Sequence, residues 1–142
     1  MNTVNGYTAQ WQVDAGSGFT NISNNTIYTG TDSNILILNN VPQNYYGYQY
    51  RCVQTNGPST IISTPITLKF TSSWTGAVST VWEDGNNWSC GIVPNQYIDA
   101  VIKSGAPNFP VVNSNASCHA VSTMPGASLI VNTGFKLDVA GQ

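Results

Sequence analysis

The stretch YTAQWQV at residues 7–13 alternates apolar and polar side chains, with Tyr7, Ala9, Trp11 and Val13 sharing one face. A two-residue period belongs to a half-buried strand, and nowhere does the chain show the 3.6-residue period of an amphipathic helix. The segment AGSGF then turns the chain. SNILILNNV puts Ile35, Ile37 and Val41 inward, although its continuous apolar run blurs the parity. In YGYQYRCVQT, Tyr48, Tyr50 and Cys52 face one way, and Gln49 and Arg51 the other. NGPS turns again, and TIISTPITLKF returns with Ile66, Leu68 and Phe70 on one face. Pro65 cannot donate to a ladder, so it marks an edge or an irregular start. A chain built this way is all-β.

Asn, Ser and Thr fill roughly a third of the 142 positions, which suits tight turns and short strands and offers little to helices. Hydrophobic residues still make up 41 %, enough for a core. Charged residues are only 7 % and the net charge is −2. The four Lys and Arg are scattered singly, so the footprint of a nucleic-acid binder is missing and an anionic membrane surface is a poor partner. No apolar run reaches the length of a membrane span, so membrane insertion is not expected. A basic region followed by an apolar segment is also missing at the start, so an export signal is expected to be absent or removed. Asn21, Asn24, Asn87 and Asn115 each open an N-x-Ser/Thr triplet. Chance supplies such triplets readily in a chain of this composition.

The rhythm changes near FTSSWTG, which suggests domains at 1–71 and 72–142. Trp74, Trp82 and Trp88 crowd the start of the second half. Its end, GASLIVNTGFKLDVAG, holds two very short strands around residues 129–131 and 137–139, separated by Asn-Thr-Gly. They either stack on successive turns of a coiled sheet or form a plain hairpin.

Trp11 in mid-strand, with Tyr50 two positions before Cys52 in a later strand, gives a Trp…Tyr-x-Cys pattern. On these residues the stretch 7–70 resembles the immunoglobulin-like modules of large secreted or surface proteins of Bacteroidetes, from strand C onward. The resemblance implies that Trp11 packs at a sandwich centre, that Tyr50 is the corner tyrosine, and that Cys52 is half of an inter-sheet disulfide. Two departures stand out. NYYG carries no aspartate before its glycine, and the ten residues before Trp11 contain no cysteine. Residues 1–71 are therefore expected to form an incomplete immunoglobulin-like sandwich lacking strands A and B. That loss would uncover a few hundred Å² of apolar area, at about 25 cal/mol per Å². Either a homodimer through the exposed sheet edge covers the face, or residues 71–142 supply the missing sheet.

In the second half the motifs are WTG at 74–76, Trp82, NNWSCGIVP at 86–94, DAVIKSG at 99–105, NFPVV at 108–112 and the final GASL segment. They resemble the opening cap and first rungs of a parallel β-helix or β-roll in the same class of surface proteins. Residues 72–142 would then be a Trp-rich cap and a short β-solenoid or β-sandwich-like segment. Trp82 and Trp88 would plug its apolar end. Cys90 and Cys118 flank the first strands, and a disulfide between them would close a loop worth about 3–4 kcal/mol, leaving Cys52 unpaired.

Little in the chain points to chemistry. His119 is the only histidine, and its neighbour Cys118 would face the opposite side of a strand, which defeats a Cys/His nucleophile. Glu83 and Asp84 are adjacent in a turn and cannot flank a scissile bond. Asp99, ahead of Ala100, reads as a loop-holding carboxylate. No cofactor is expected; Ca²⁺ on Asp84, Asp99 and nearby carbonyls is the one cation site the acids suggest. The expected role is a non-enzymatic structural, adhesion or display module of a larger secreted or cell-surface protein, facing a protein or glycan surface. The alternative is a carbohydrate-binding module using Tyr28, Tyr45 and Tyr46 with amide side chains.

Overall fold

The computed structural model describes residues 3–4 and 6–141 and contains strands with two 3₁₀ turns. It divides into two compact units, one running to Leu68 and the other starting at Lys69.

In the first unit, β1 (Thr3–Val4), β2 (Tyr7–Asp14) and β3 (Phe19–Asn21) precede a short pair, β4 (Tyr28–Thr29) and β5 (Ile37–Leu38). Then follow β6 (Gln49–Asn56), β7 (Ser59–Ile62) and β8 (Ile66–Thr67). The long antiparallel β2–β6 ladder sets Trp11 opposite Cys52 and Val13 opposite Tyr50. β1 and β3 pair with β2, while β7 and β8 both pair with β6, so six strands form one sheet. Pro65 falls in the break between β7 and β8, along the sheet's edge. One face of this sheet buries Tyr50 with Ile22 and Tyr28, against Trp11, Val13, Leu36, Leu38 and Leu68. The Trp11 indole donates to the Ser33 carbonyl at 2.9 Å, tying the sheet to the loop between β4 and β5.

Two expectations are corrected here. In SNILILNNV the parity is inverted: Ile35 and Ile37 are 62 % and 51 % exposed, whereas Leu36 and Leu38 pack on the core. The immunoglobulin-like sandwich is also not what forms. The strands gather into one six-stranded sheet faced by a two-stranded pair, because the Asp14–Gly18 turn returns β3 alongside β2. Cys52 is a buried free thiol and no disulfide links two sheets.

The second unit comprises β9 (Thr71–Trp74), β10 (Asp99–Ile102), β11 (Val111–Val112) and β12 (Ala116–Cys118). β13 (Val121–Thr123), β14 (Ile130–Val131) and β15 (Leu137–Val139) complete it. All its ladders are parallel. Ala100 pairs Val121, Val111 pairs Ile130 and Ala116 pairs Leu137, displacements of 21, 19 and 21 residues. The core holds Trp74, Trp82, Trp88, Ala100, Ile102, Val112 and Cys118. Trp88 meets both Trp74 and Trp82 edge-to-face, at 5.1 and 4.7 Å between centroids. Each such contact adds about 0.5–1.5 kcal/mol beyond the area it buries.

The solenoid expectation does not survive. β9, β10 and β13 form a three-stranded sheet, while β11–β14 and β12–β15 are separate two-stranded sheets. None closes or curls on itself. The ladders are two to four residues long, and the turns around Gly105, Ser114 and His119 interrupt them. The hairpin alternative fails too, since β14 and β15 pair with β11 and β12 and not with each other.

Asn87 ties these parts together from a fully buried position in the 3₁₀ turn Gly85–Asn87. Its Oδ1 accepts from the Val78 and Ser79 N–H groups at 3.0 and 2.9 Å. Its Nδ2 donates to Ser79 Oγ and the Val81 carbonyl, both at 3.0 Å. Its own carbonyl accepts from Thr75 N at 2.8 Å, beside Gly76. At Gly76 the backbone sits at φ +58 against the Asn108 carbonyl, where a Cβ would collide. Asn87→Ala strands buried donors and acceptors in the 78–81 loop. It is expected to lower the second unit's stability by about 2–4 kcal/mol, read as a drop in urea midpoint at unchanged slope. A shift no larger than that of an exposed control such as Val78→Ala would contradict this role.

Candidate functional site

The groups best suited to chemistry in the second unit are Asp99, His119 and Cys118. Asp99 opens β10 and His119 follows β12; the His119 N–H bonds the Ile98 carbonyl at 2.9 Å, bringing the two side chains level. Asp99 Oδ1 lies 3.0 Å from His119 Nδ1, with both side chains largely buried. Gly141 donates its N–H to the His119 carbonyl at 2.6 Å. Its α-carbon passes so close to the imidazole that any side chain there would overlap the ring. Cys118 points the other way, into the core, where burial first and the Asp99 charge second push its thiol up to about 11. A thiol protonated at neutral pH is a poor nucleophile. Asp99 and His119 therefore form a braced pair, and the neighbouring Cys118 is not an activated nucleophile.

The remaining acids are dispersed. Glu83 Oε1 accepts from Asn113 N and Ser114 Oγ, both at 2.9 Å, pinning the loop between β11 and β12. Asp84 caps the 3₁₀ turn through Asn86 N at 2.9 Å. Neighbours in sequence, they serve different loops. Trp82 Nε1 and Glu83 Oε2 are buried without a hydrogen-bond partner among the described residues. Asp14 Oδ1 accepts from the Gly16 and Gly18 N–H groups, which hold its carboxyl below the usual range. Asp84 and Asp99, the suggested Ca²⁺ ligands, thus have separate duties. Among the described residues no three or more His, Cys, Asp or Glu gather as a metal site would require.

The three tyrosines suggested as a sugar surface separate as well. Tyr28 is buried, its hydroxyl 3.2 Å from that of Tyr50 and its ring edge-on to it at 6.0 Å. Tyr45 stacks on Tyr48 at 4.5 Å beside the 3₁₀ turn Gln43–Tyr45, and Tyr46 is half-buried. No common platform of Tyr28, Tyr45 and Tyr46 results. Of the expected core residues, Tyr50, Cys52, Trp74, Trp82 and Trp88 are buried, and Trp11 is partly so. Cys90 is exposed and Cys118 buried, and all three cysteines are free, so the expected Cys90–Cys118 disulfide is corrected. Cys118 is turned into the core between strands while Cys90 lies outside it.

A polar row on the other face of the first unit's sheet went unnoticed in the sequence. Arg51 Nε donates to Gln12 Oε1 and Gln12 Nε2 to Asn21 Oδ1, both at 2.8 Å, spanning β6, β2 and β3. The guanidinium covers the Phe19 ring at 3.9 Å. The alternation that turns Arg51 away from Cys52 was its only signal. Asn87 was likewise visible only as part of an N-x-Ser triplet and of the NNWSCGIVP stretch; full burial bars it from modification in the folded chain.

Burial holds the Tyr28 and Tyr50 phenols and the Cys52 and Cys118 thiols above their usual values. The native state therefore keeps protons that the unfolded chain releases first. The resulting stability is fully present below pH 9.0, the ordinary thiol value, and the Cys118 share is lost as pH rises to about 11. The phenol share is lost above pH 10.0. Urea midpoints are expected to fall steeply above that pH, and a flat alkaline limb would contradict the assignment. At neutral pH Ellman's reagent should titrate Cys90 alone in the native protein and all three thiols in denaturant. Mobility on non-reducing gels should not depend on reductant.

Residues 73–142 match the model of a family described as a domain of unknown function (DUF8693). No curated protein and no solved structure matches the chain. The likeness to Bacteroidetes immunoglobulin-like and β-helix-cap segments is thereby corrected: the second unit is similar to an all-β domain of unknown function, and its sheets lack the coil that the likeness implied.

Proposed function

We propose that the chain is a non-catalytic module whose work is structural spacing, display or adhesion. The observation that carries this is the employment of its reactive groups as braces. Asp99 holds His119, Glu83 holds the 113–114 loop, Asp84 caps a turn, and two of the three thiols are buried. Catalysis needs a nucleophile, base and orienting group converging on one reacting atom. Nothing among these side chains converges in that way.

A secreted or cell-surface location was expected from the family likeness and from a cysteine pair. With the likeness corrected and the thiols free, the proposed role stands on side-chain geometry alone. Carbohydrate binding is the second reading, supported by the half-buried Tyr45 and Tyr46 beside a polar turn.

Two measurements test the role. On panels of glycosidic, ester and peptide substrates the protein should show no turnover above background, while Asp99→Asn and His119→Ala should lower the unfolding midpoint. Turnover abolished by His119→Ala in a variant of unchanged circular dichroism would overturn it. Retention on an insoluble polysaccharide that is lost in Tyr45→Ala would replace the spacer role with the sugar-binding one.

A further inference from the structure

The outer edge of β15 has a sequence that complements itself. β15 pairs with β12 on one side only. The Lys136 carbonyl accepts from Ala116 N, and Ala140 N donates to the Cys118 carbonyl, both at 2.9 Å. Backbone groups alternate in direction along a strand, so the N–H and C=O of Leu137 and Val139 face the unpaired side. The run Phe135, Lys136, Leu137, Asp138, Val139 reads apolar, cation, apolar, anion, apolar. Lys136 and Asp138 are exposed and pair with each other at 2.9 Å. Phe135 and Val139 are 44 % and 50 % exposed, although Val139 sits in register with the fully buried Cys118.

We infer that β15 pairs antiparallel with β15 of a second copy, about a two-fold axis through Leu137. In that register Leu137 faces its own counterpart and the two exchange backbone hydrogen bonds. Lys136 then stands opposite Asp138 of the other copy, twice, and Phe135 opposite Val139, also twice. Opposite charges placed across strands stabilise a pair, and like charges placed there destabilise it. The contact is isologous and closes on itself. It joins two two-stranded sheets, marginal alone, into one of four strands. The exposed edge strand β7 lacks this property. β7 carries no charge to choose a register and gives way at Pro65.

Sedimentation velocity on the full chain, from micromolar to sub-millimolar concentration, tests the contact. A concentration-dependent dimer is expected. Lys136→Asp and Asp138→Lys should each weaken it about tenfold or more, since each variant sets like charges opposite one another at both positions. Both sites are exposed, so circular dichroism should be unchanged. An equimolar mixture of the two variants should recover the dimer, as should the double variant K136D/D138K, because both arrangements restore opposite charges. A monomer at every concentration overturns the contact. So does a dimer indifferent to either reversal, or one that the mixture fails to restore.

Discussion

Neutral amide side chains hold this molecule's irregular segments in place, and most of its architecture follows from that constraint. With 7 % charged residues, carboxylates and ammonium groups are too few to secure the many turns between short strands. Asn and Gln carry both a donor and an acceptor and can be buried without the desolvation cost of a full charge. Asn87 is the most complete case, with both Oδ1 and both Nδ2 hydrogens engaged. In the first unit, Gln10 donates to the Trp11 and Ile22 carbonyls, and Asn24 accepts from the N–H and hydroxyl of Thr31. Asn25 receives the N–H groups of Ile27 and Tyr28. Each of these bonds contributes only about 1 kcal/mol net, but an unmade partner inside the fold would cost more.

Once the loops are fixed, the short strands have definite neighbours. In the second unit the 78–81 loop held by Asn87 carries Val81 to its parallel bridge with Val111, and Trp82 N bonds the Val111 carbonyl at 3.1 Å. That places the Trp82 ring against Trp88 and over the buried aliphatic residues of β10 and β11. Hydrogen bonding positions the ring, and its area then supplies the stabilisation. In the first unit the order is reversed. The long β2–β6 ladder fixes its own register over seven residue pairs, and the amide-pinned β4–β5 pair is laid on it to cover Tyr50 and Val13.

Much of the strand content was legible as period two. Trp11, Val13, Tyr50 and Cys52 do share a face, because a regular strand leaves alternation no other outcome. The SNILILNNV run was misread because four consecutive aliphatic residues satisfy either parity, and the β4 partner decides between them. Pairing partners were beyond reach for a similar reason. Two- or three-residue strands such as β11 and β14 carry too little pattern to name a neighbour 19 residues away. The Cys90–Cys118 pairing rested on their places flanking the first strands, which says nothing of direction, and one thiol points inward while the other is exposed. For the candidate site, the isolation of the acids could be read from their positions. That Asp99 reaches His119 could not, since it depends on the parallel register of the chain turns around Ile98 and His119.

The Asp99–His119 pair shows how the same residue types separate bracing from catalysis. A carboxylate on Nδ1 is the orienting half of many acid–base sites, because it fixes the ring and stabilises the imidazolium. Here Gly141 lies against the ring, and the nearest thiol is turned to the opposite side of β12 and raised by burial. With the ring packed on Gly141 and hydrogen-bonded to Asp99, the pair adds a side-chain link to the backbone bonds between these chain turns. Its energetic effect falls on the junction between the start of β10 and the turn that follows β12, where the His119 N–H also bonds the Ile98 carbonyl. Alternation along the chain turns the preceding Cys118 into the core, so the placement that makes His119 a brace keeps the thiol out of its reach.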